Sequence, residues 1–150
     1  MKALKIPLIR EGTVIDHITA GQAVNVLRIL GIPGTQSSTV SVAMNVKSRL
    51  VKKDIVKVEN RELDPHEVNK IALIAPKATI NIIRDYKVVE KHKVKLPKEV
   101  VGIVRCSNPT CISNAREPVK SRFTVITADP PRVKCYYCER EPEDIADRII

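Results

Sequence analysis

Four cysteines in the last third of the chain form two closely spaced pairs. Cys106 and Cys111 enclose four residues, Cys135 and Cys138 enclose two, and 23 residues separate the pairs. Two such pairs are typical of two loops that hold one tetrahedral metal ion. Zinc suits four thiolates, because it imposes no d-electron geometry and takes sulfur ligands at roughly 2.3 Å. The spacing therefore predicts one Zn²⁺ per chain, bound by all four cysteines.

Two other uses of these cysteines fit the sequence less well. Two disulfides would require a secreted chain, but residues 1–5 open no signal peptide and no long apolar run follows. We therefore expect a cytoplasmic protein, whose thiols stay reduced. Cys135 and Cys138 could imitate a redox motif, but that motif belongs at a strand-to-helix junction in a larger α/β domain, and none surrounds it.

A site with four thiolate ligands is closed to catalysis. The ligands leave no position for an activated water, and their combined charge outweighs that of Zn²⁺. We expect the zinc to be structural. It would hold residues 97–150, a segment that is too short to bury enough surface to fold unaided.

The net charge of +9 is unevenly distributed along the 150 residues. Residues 1–96 carry 17 Lys and Arg against 9 Asp and Glu, whereas residues 97–150 carry 9 against 8. A Zn²⁺ held by four thiolates contributes about −2. The basic surface therefore belongs to the first region, which argues against nucleic-acid binding by the zinc module. No stretch approaches the roughly 20 apolar residues that would span a membrane.

The first 96 residues alternate between strand and helix patterns. One helix follows a predicted capping box of Thr19 and Gln22, and a second follows Asp64, Pro65 and Glu67. The order from residue 13 is βαββαβ, which predicts an α+β, ferredoxin-like antiparallel sheet with both helices on one face. The predicted strands are residues 4–9 (an extra edge), 13–18, 38–46, 54–59, and 78–84 with 86–91.

The last third predicts a separate small all-β domain that resembles a zinc ribbon. A charged connector at residues 93–98 divides the chain into domains 1–96 and 97–150. Short strands at residues 100–104, 123–127 and 132–134 would carry the cysteine loops. A brief C-terminal helical turn would contain Ile145, Ile149 and Ile150.

The basic domain offers no active site but does offer a possible anion site. The sequence has no nucleophile beside a base and no glycine-rich phosphate loop, so we expect no enzyme. Lys53 and Lys57 repeat on one face of a strand, and Lys87 and Lys91 are spaced likewise. Such rows suit a triphosphate, although lysine rows also simply keep a sheet face hydrated.

Asp16 and His17 could serve a ribose and a phosphate. Adjacent strand residues point to opposite faces, so a shared ligand would require a bulge, a strong twist or an edge position. On local evidence a structural use of this pair is favoured over a binding role.

Three stretches and the paired cysteines resemble one family closely. The stretches are GTVIDHI at residues 12–18, KDIVKVEN at 53–60 and ALIAPKATIN at 72–81. Together they resemble the regulatory chain of aspartate carbamoyltransferase, in the same order and spacing over essentially the whole chain.

The resemblance implies a non-catalytic subunit. Its ferredoxin-like domain would bind nucleoside triphosphates (ATP, CTP, UTP) and pair with its copy in a regulatory dimer. Its zinc domain would dock on the catalytic chain, so that regulatory dimers bridge catalytic trimers into a dodecamer. The subunit would report nucleotide levels to an enzyme that makes carbamoyl aspartate for pyrimidine synthesis.

The resemblance also assigns roles to individual residues. Asp16 and Lys57 would hold the ribose, and His17 and Lys91 would meet the phosphates, with Val88 nearby.

Further positions follow from the same resemblance. Backbone groups around Ile9 and Tyr86 would read the amino group of the base. Asn108 and Glu117 match positions that face the catalytic chain. The remaining residues that would line the pocket or its neighbour are Lys53, Asn81 and Ile83.

The sequence departs from the best-known members of the family at several positions. Pro7 replaces an acidic residue, Arg84 and Lys87 differ in charge, and one residue is inserted near Arg116. These changes leave open which nucleotides bind and whether each one activates or inhibits.

Two rival functions fit parts of the sequence. A zinc-ribbon protein that binds RNA or DNA would fit the charge of +9, but the chain has only four aromatic residues for stacking. A regulator of some other enzyme could share the fold with a different partner.

Overall fold

The computed structural model describes residues 8–32, 38–115 and 119–150. Its first sheet has five antiparallel strands in the order β2-β3-β1-β4-β5, and two helices, α1 (Ala23–Ile29) and α2 (Pro65–Ala72), interrupt the strands in sequence. The order of elements from β1 to β4 is βαββαβ, as the sequence predicts. The strands are β1 (Gly12–Thr19), β2 (Val40–Lys47), β3 (Lys52–Glu59), β4 (Thr79–Arg84) and β5 (Lys87–Lys93).

The end of this sheet differs from the prediction. The single extended segment predicted at residues 78–91 is a hairpin of β4 and β5, because Asp85 and Tyr86 adopt left-handed φ angles of 52° and 65°. A bulge in β5 pairs Lys91 with Asn81 but Lys87 with Arg84.

Because of this bulge, one of the two predicted lysine rows does not exist. Because paired residues of antiparallel strands share a face, Lys87 and Lys91 lie on opposite faces of the sheet, and the prediction that they share one is wrong. The predicted strand at 4–9 lies mostly outside the described residues, and Leu8 and Ile9 belong to no strand.

One face of the sheet carries the helices and the first apolar core. Ile15 and Val56 are fully buried there with Ile80, and they pack with Val26 of α1 and Ile71 of α2. Burying an aliphatic side chain of this size contributes roughly 1.5–3 kcal/mol. Because side chains alternate along a strand, the opposite face is left to polar and partly exposed groups.

The first helix is capped by a residue from another strand. The buried Asp54 of β3 accepts hydrogen bonds from the backbone N–H groups of Gly21 at 2.9 Å and Ala23 at 3.0 Å. The predicted capping box of Thr19 and Gln22 is wrong, because α1 begins after Gln22 and no side chain of that residue caps it. Asp54 thus accepts from N–H groups that have no partner within the helix.

Asp54 also fastens the neighbouring edge strand. Its Oδ1 atom accepts from the backbone N–H of Asn45 at 2.9 Å, at the point where the pairing of β2 with β3 shifts register. One carboxylate therefore joins β3, the start of α1 and the irregular part of β2.

The second helix begins as predicted. The Asp64 side chain accepts from the backbone N–H of Glu67 at 2.9 Å, and the Glu67 side chain accepts from the backbone N–H of Asp64 at 3.2 Å. Pro65 occupies the first helical position, where its missing N–H costs nothing.

The second sheet has three antiparallel strands, β6 (Glu99–Val101), β7 (Arg122–Ala128) and β8 (Pro131–Cys135). A short 3₁₀ turn (Ile112–Asn114) and helix α3 (Ile145–Arg148) complete this part of the chain. Its core packs around the fully buried Phe123 and includes three of the cysteines.

The two cores are in contact. Leu73, at the end of α2, is buried in the second core, and Leu96 and Ile149 pack against both. The Arg28 guanidinium of α1 donates to the backbone carbonyl of Ala146 in α3. Within the described ranges, no helix is long and apolar enough to cross a bilayer.

The Asp54 cap can be tested by substitution. Asp54→Asn should lower the free energy of unfolding by about 3 kcal/mol, because an amide cannot accept all three backbone hydrogen bonds and leaves buried donors unsatisfied. Urea denaturation of the metal-loaded chain, followed by circular dichroism, measures this change.

Thr19→Ala is the matched control. Because the Thr19 side chain does not cap α1, this variant should change stability by less than about 0.5 kcal/mol. If Thr19→Ala lost about 1 kcal/mol of stability and Asp54→Asn lost none, α1 would instead be capped locally by Thr19.

Candidate functional sites

A bulge in β1 brings Asp16 and His17 to one place. The register with β3 shifts between Ile15 and Ile18, and His17 adopts a left-handed φ of 56°. The His17 N–H donates to Asp16 Oδ1 at 2.7 Å, and its Nδ1 atom lies 3.8 Å from Asp16 Oδ2. His17 Nδ1 also lies 3.2 Å from the hydroxyl of Thr79, which pairs with Asp16 across the strands. The bulge thus meets the condition for Asp16 and His17 to face a common ligand.

The Asp16 carboxylate is held in a positive environment. Lys53 Nζ lies 2.9 Å from Asp16 Oδ1, and both side chains are partly buried. Burial on its own raises the pKa of Asp16, but the Lys53 hydrogen bond and the His17 N–H together bring that pKa below its ordinary value. Burial lowers the pKa of Lys57, although the nearby charge of Asp16 opposes this. The site therefore keeps a carboxylate and ammonium groups close together.

A pocket of about 270 Å³ opens on the sheet face opposite the helices. It collects seven of the ten predicted nucleotide-site residues, which are Ile9, Asp16, Lys57, Asn81, Ile83, Tyr86 and Val88. Leu8 and Val14 complete its wall and were missed from the sequence. The two-residue spacing from Asp16 could have found Val14, whereas no pattern pointed to Leu8.

The three other predicted residues lie around this pocket. Lys53 pairs with Asp16, and together with His17 it lines an adjoining cleft of about 900 Å³. Lys91 lies on the exposed strand β5, opposite Asn81 in the register, and does not line the pocket.

The strand register orders these groups along β1. Gly12 pairs with Ile83, which pairs with Val88, so the pocket wall at this end is apolar. Gly12 also pairs with Glu59, which does not line the pocket. Val14, in the middle, pairs with both Lys57 and Asn81, and the Asn81 amide donates to the Val14 carbonyl at 3.2 Å. Asp16 marks the charged end. This arrangement suits a ligand with a flat apolar group at one end and hydroxyl and anionic groups at the other.

The metal centre is assembled from the four predicted cysteines. The four Sγ atoms lie within 4.8 Å of one another, with 3.4 Å between Cys106 and Cys138 and 3.7 Å between Cys111 and Cys135. Four sulfurs at roughly 2.3 Å from a central ion would form a tetrahedron with edges of roughly 3.8 Å. The donor set therefore fits a tetrahedral thiolate-bound metal.

The protein surrounds these sulfurs with hydrogen-bond donors. The Asn108 N–H lies 3.5 Å from Cys106 Sγ, and the Ser113 hydroxyl lies 3.2 Å from Cys111 Sγ. Burial raises the pKa of the Cys106 thiol to about 12. Burial also acts to raise the pKa of Cys138, but the Arg140 N–H and the neighbouring thiols bring it down to about 7. Burial likewise acts to raise the pKa of Cys111, but its contacts with Ser113 bring that pKa below its ordinary value.

Of the two residues predicted to contact a catalytic chain, the structure describes only Asn108. The Asn108 side-chain oxygen accepts from the Thr110 N–H at 3.1 Å and from its hydroxyl at 2.8 Å, so Asn108 also shapes the first cysteine loop. Glu117 lies outside the described residues.

Comparison with known proteins gives consistent matches along the whole chain. Residues 4–95 match the family model described as aspartate carbamoyltransferase regulatory chain, allosteric domain. Residues 98–146 match the one described as the metal binding domain of the same regulatory chain.

Several proteins named aspartate carbamoyltransferase regulatory chain are similar over nearly their full length. The one from Methanothrix thermoacetophila is 61% identical, with 99% of this chain and 98% of the relative covered. The one from Methanothermobacter thermautotrophicus is also 61% identical, with coverage of 97% and 92%. A third, from Thermofilum pendens, is 54% identical, with coverage of 99% and 96%. The chain belongs to the family of aspartate carbamoyltransferase regulatory chains.

Proposed function

We propose that this chain binds nucleoside triphosphates (ATP, CTP and UTP) and thereby modulates the catalytic chains of aspartate carbamoyltransferase in pyrimidine biosynthesis. As a member of a regulatory-chain family it is itself non-catalytic. The observation that carries the proposal is the pocket along β1, whose apolar and charged ends match the two ends of a nucleotide.

The proposed binding mode follows the order of groups along β1. The base lies at the apolar end, between Ile83 and Val88 and near the backbone of Ile9 and Tyr86. The ribose hydroxyls donate to Asp16, whose pKa is held low, so that it stays an acceptor at neutral pH.

The phosphates continue towards the cationic groups beyond the ribose. Lys57, His17 and Lys53 lie on this side of the pocket, and Lys91 lies across the sheet from Asn81. Ammonium groups and an imidazole at this end suit several negative charges. A triphosphate would compete with Asp16 for Lys53 and would draw that ammonium towards the adjoining cleft.

We also infer that the chain has two domains with separate roles. Residues 1–96 form a ferredoxin-like allosteric domain. The antiparallel strand order β2-β3-β1-β4 supports this, as do the two helices that connect β1 to β2 and β3 to β4. Residues 97–150 form the metal domain that docks on the catalytic chain. The matched ranges 4–95 and 98–146 agree with this boundary.

The assembly we propose is a regulatory dimer that bridges catalytic trimers. The edge strand β2 leaves Val42 and Met44 partly exposed, and an unpaired edge of this kind favours pairing with a second copy. A nucleotide shifts the enzyme only if it binds two quaternary states unequally, typically by about 1–3 kcal/mol. The packed contact through Leu73 offers a path from the sheet to the metal domain.

We infer that the metal is zinc and that its role is structural. The four buried or half-buried thiolates fit a tetrahedral ion and leave no open coordination position.

Nucleotide binding can be measured by calorimetric titration of the metal-loaded chain with ATP. Lys57→Ala should weaken ATP affinity about tenfold or more, because it removes a charged hydrogen-bond partner inside the pocket. Lys87→Ala makes the same charge change on the opposite face and should alter affinity less than about threefold. Equal losses of ATP affinity in the two variants would show only a general charge effect. If the native chain did not bind ATP at all, the nucleotide proposal would be wrong.

Zinc content and its structural role can be tested together. Elemental analysis should find one zinc per chain, and chelation should abolish hydrogen-exchange protection in β6–β8 while the amides of β1, β3 and β4 stay protected. Adding Zn²⁺ back should restore protection. A different bound metal would contradict the zinc assignment, and persistent protection of β7 and β8 after chelation would contradict the structural role.

A further inference from the structure

A cleft of about 430 Å³ lies where the first turn of α2 meets the metal domain, apart from the pocket along β1. It borders the metal centre, because its lining residue Ser113 also contacts Cys111 Sγ. His66 of α2 lines one side, and the rest of the polar wall comes from the metal domain. Its polar lining residues are His66, Arg105, Ser113, Asn114, Lys120 and Ser121.

The charged side chains that the structure describes in this cleft are both cationic. Arg105 and Lys120 are exposed cations, and among the described residues no acidic side chain lines the cleft. Neither cation takes part in an ion pair within the part of the chain that the structure describes. By contrast, Arg122 of β7 and Arg132 of β8 are paired with Glu99 and Glu141.

A buried hydroxyl in the wall has no partner. Ser121 is only 8% exposed, and its Oγ atom makes no hydrogen bond among the described residues. Buried hydroxyls are nearly always hydrogen-bonded, so an exception requires an explanation. Ser121 lines the cleft, so a donor that lacks an acceptor lies beside this space.

We propose that this cleft binds a small oxyanion, a phosphate or a carboxylate, between Arg105, Lys120 and the Ser121 hydroxyl. An oxyanion gains charge-assisted hydrogen bonds from both cations, which are stronger than neutral ones. His66 contributes an additional donor from the first domain.

The position of the cleft gives the bound anion a structural consequence. His66 belongs to α2, whereas Arg105 and Lys120 belong to the metal domain, so one anion would contact both. The cleft is also separate from the pocket along β1, since the two share no lining residue. This inference therefore does not depend on nucleotide binding.

Phosphate titration of the full metal-loaded chain tests the proposal, with the backbone amides of Asn114 and Ser121 followed by NMR in a low-salt chloride buffer. Inorganic phosphate should saturate the shifts of these amides at one ion per chain, and acetate should act at the same place if any oxyanion suffices. The double variant Arg105→Ala, Lys120→Ala should weaken this binding about tenfold or more. Ser121→Ala should weaken it by a smaller factor without changing the net charge.

Two controls separate this site from other cationic surfaces. Lys134→Ala removes one exposed charge from β8, away from the cleft, and should leave the phosphate response unchanged. Lys57→Ala should also leave it unchanged, because that residue lines the other pocket. Loss of the response in Lys57→Ala alone would move the phosphate to the nucleotide pocket and overturn the proposal.

Two further outcomes would contradict the proposal. The absence of saturable shifts with either anion would show that the cleft takes no free oxyanion. Shifts of the same amides on adding catalytic trimers, without any response to phosphate or acetate, would assign the cleft to a protein partner instead.

Discussion

The second half of the chain depends on bringing four sulfur atoms to one point. Cys106, Cys111 and Cys135 are buried in the same core as Phe123, so the metal site and the apolar core occupy one volume. Three short strands alone bury little surface, and a bound ion joins the loops that they carry. Leu73 of α2 enters this core as well, and the fold of the metal domain therefore fixes how the first domain is held.

The charged end of the pocket depends on the local departure of β1 from regular strand geometry. In a regular strand Asp16 and His17 would face opposite sides of the sheet. Here Asp16 lines the pocket and His17 lines the adjoining cleft. The bulge places the His17 ring beside Thr79 and near the Asp16 carboxylate. Left-handed residues within strands are uncommon, and His17 is one of them, directly after the pocket residue Asp16.

The features that the sequence predicted well are those with local causes. The capping box of α2 joins residues three apart, and the four cysteines are recognisable by spacing alone. The features it missed depend on distant residues. The cap of α1 comes from Asp54, more than thirty residues away, and the β5 bulge that separates Lys87 from Lys91 is set by pairing with β4. The proposed roles of individual pocket residues rest on family resemblance, because lysine rows on a strand do not distinguish a binding face from a hydrated one.

Lys53 and Asp54 are consecutive, yet their side chains serve opposite faces of the sheet. Lys53 reaches Asp16 beside the pocket, while Asp54 holds the start of α1 beneath it. Gain or loss of one residue within β3 would exchange the two faces and force an ammonium into the apolar core. A one-residue insertion or deletion within β3 should therefore cost the fold far more than one in a connection between elements.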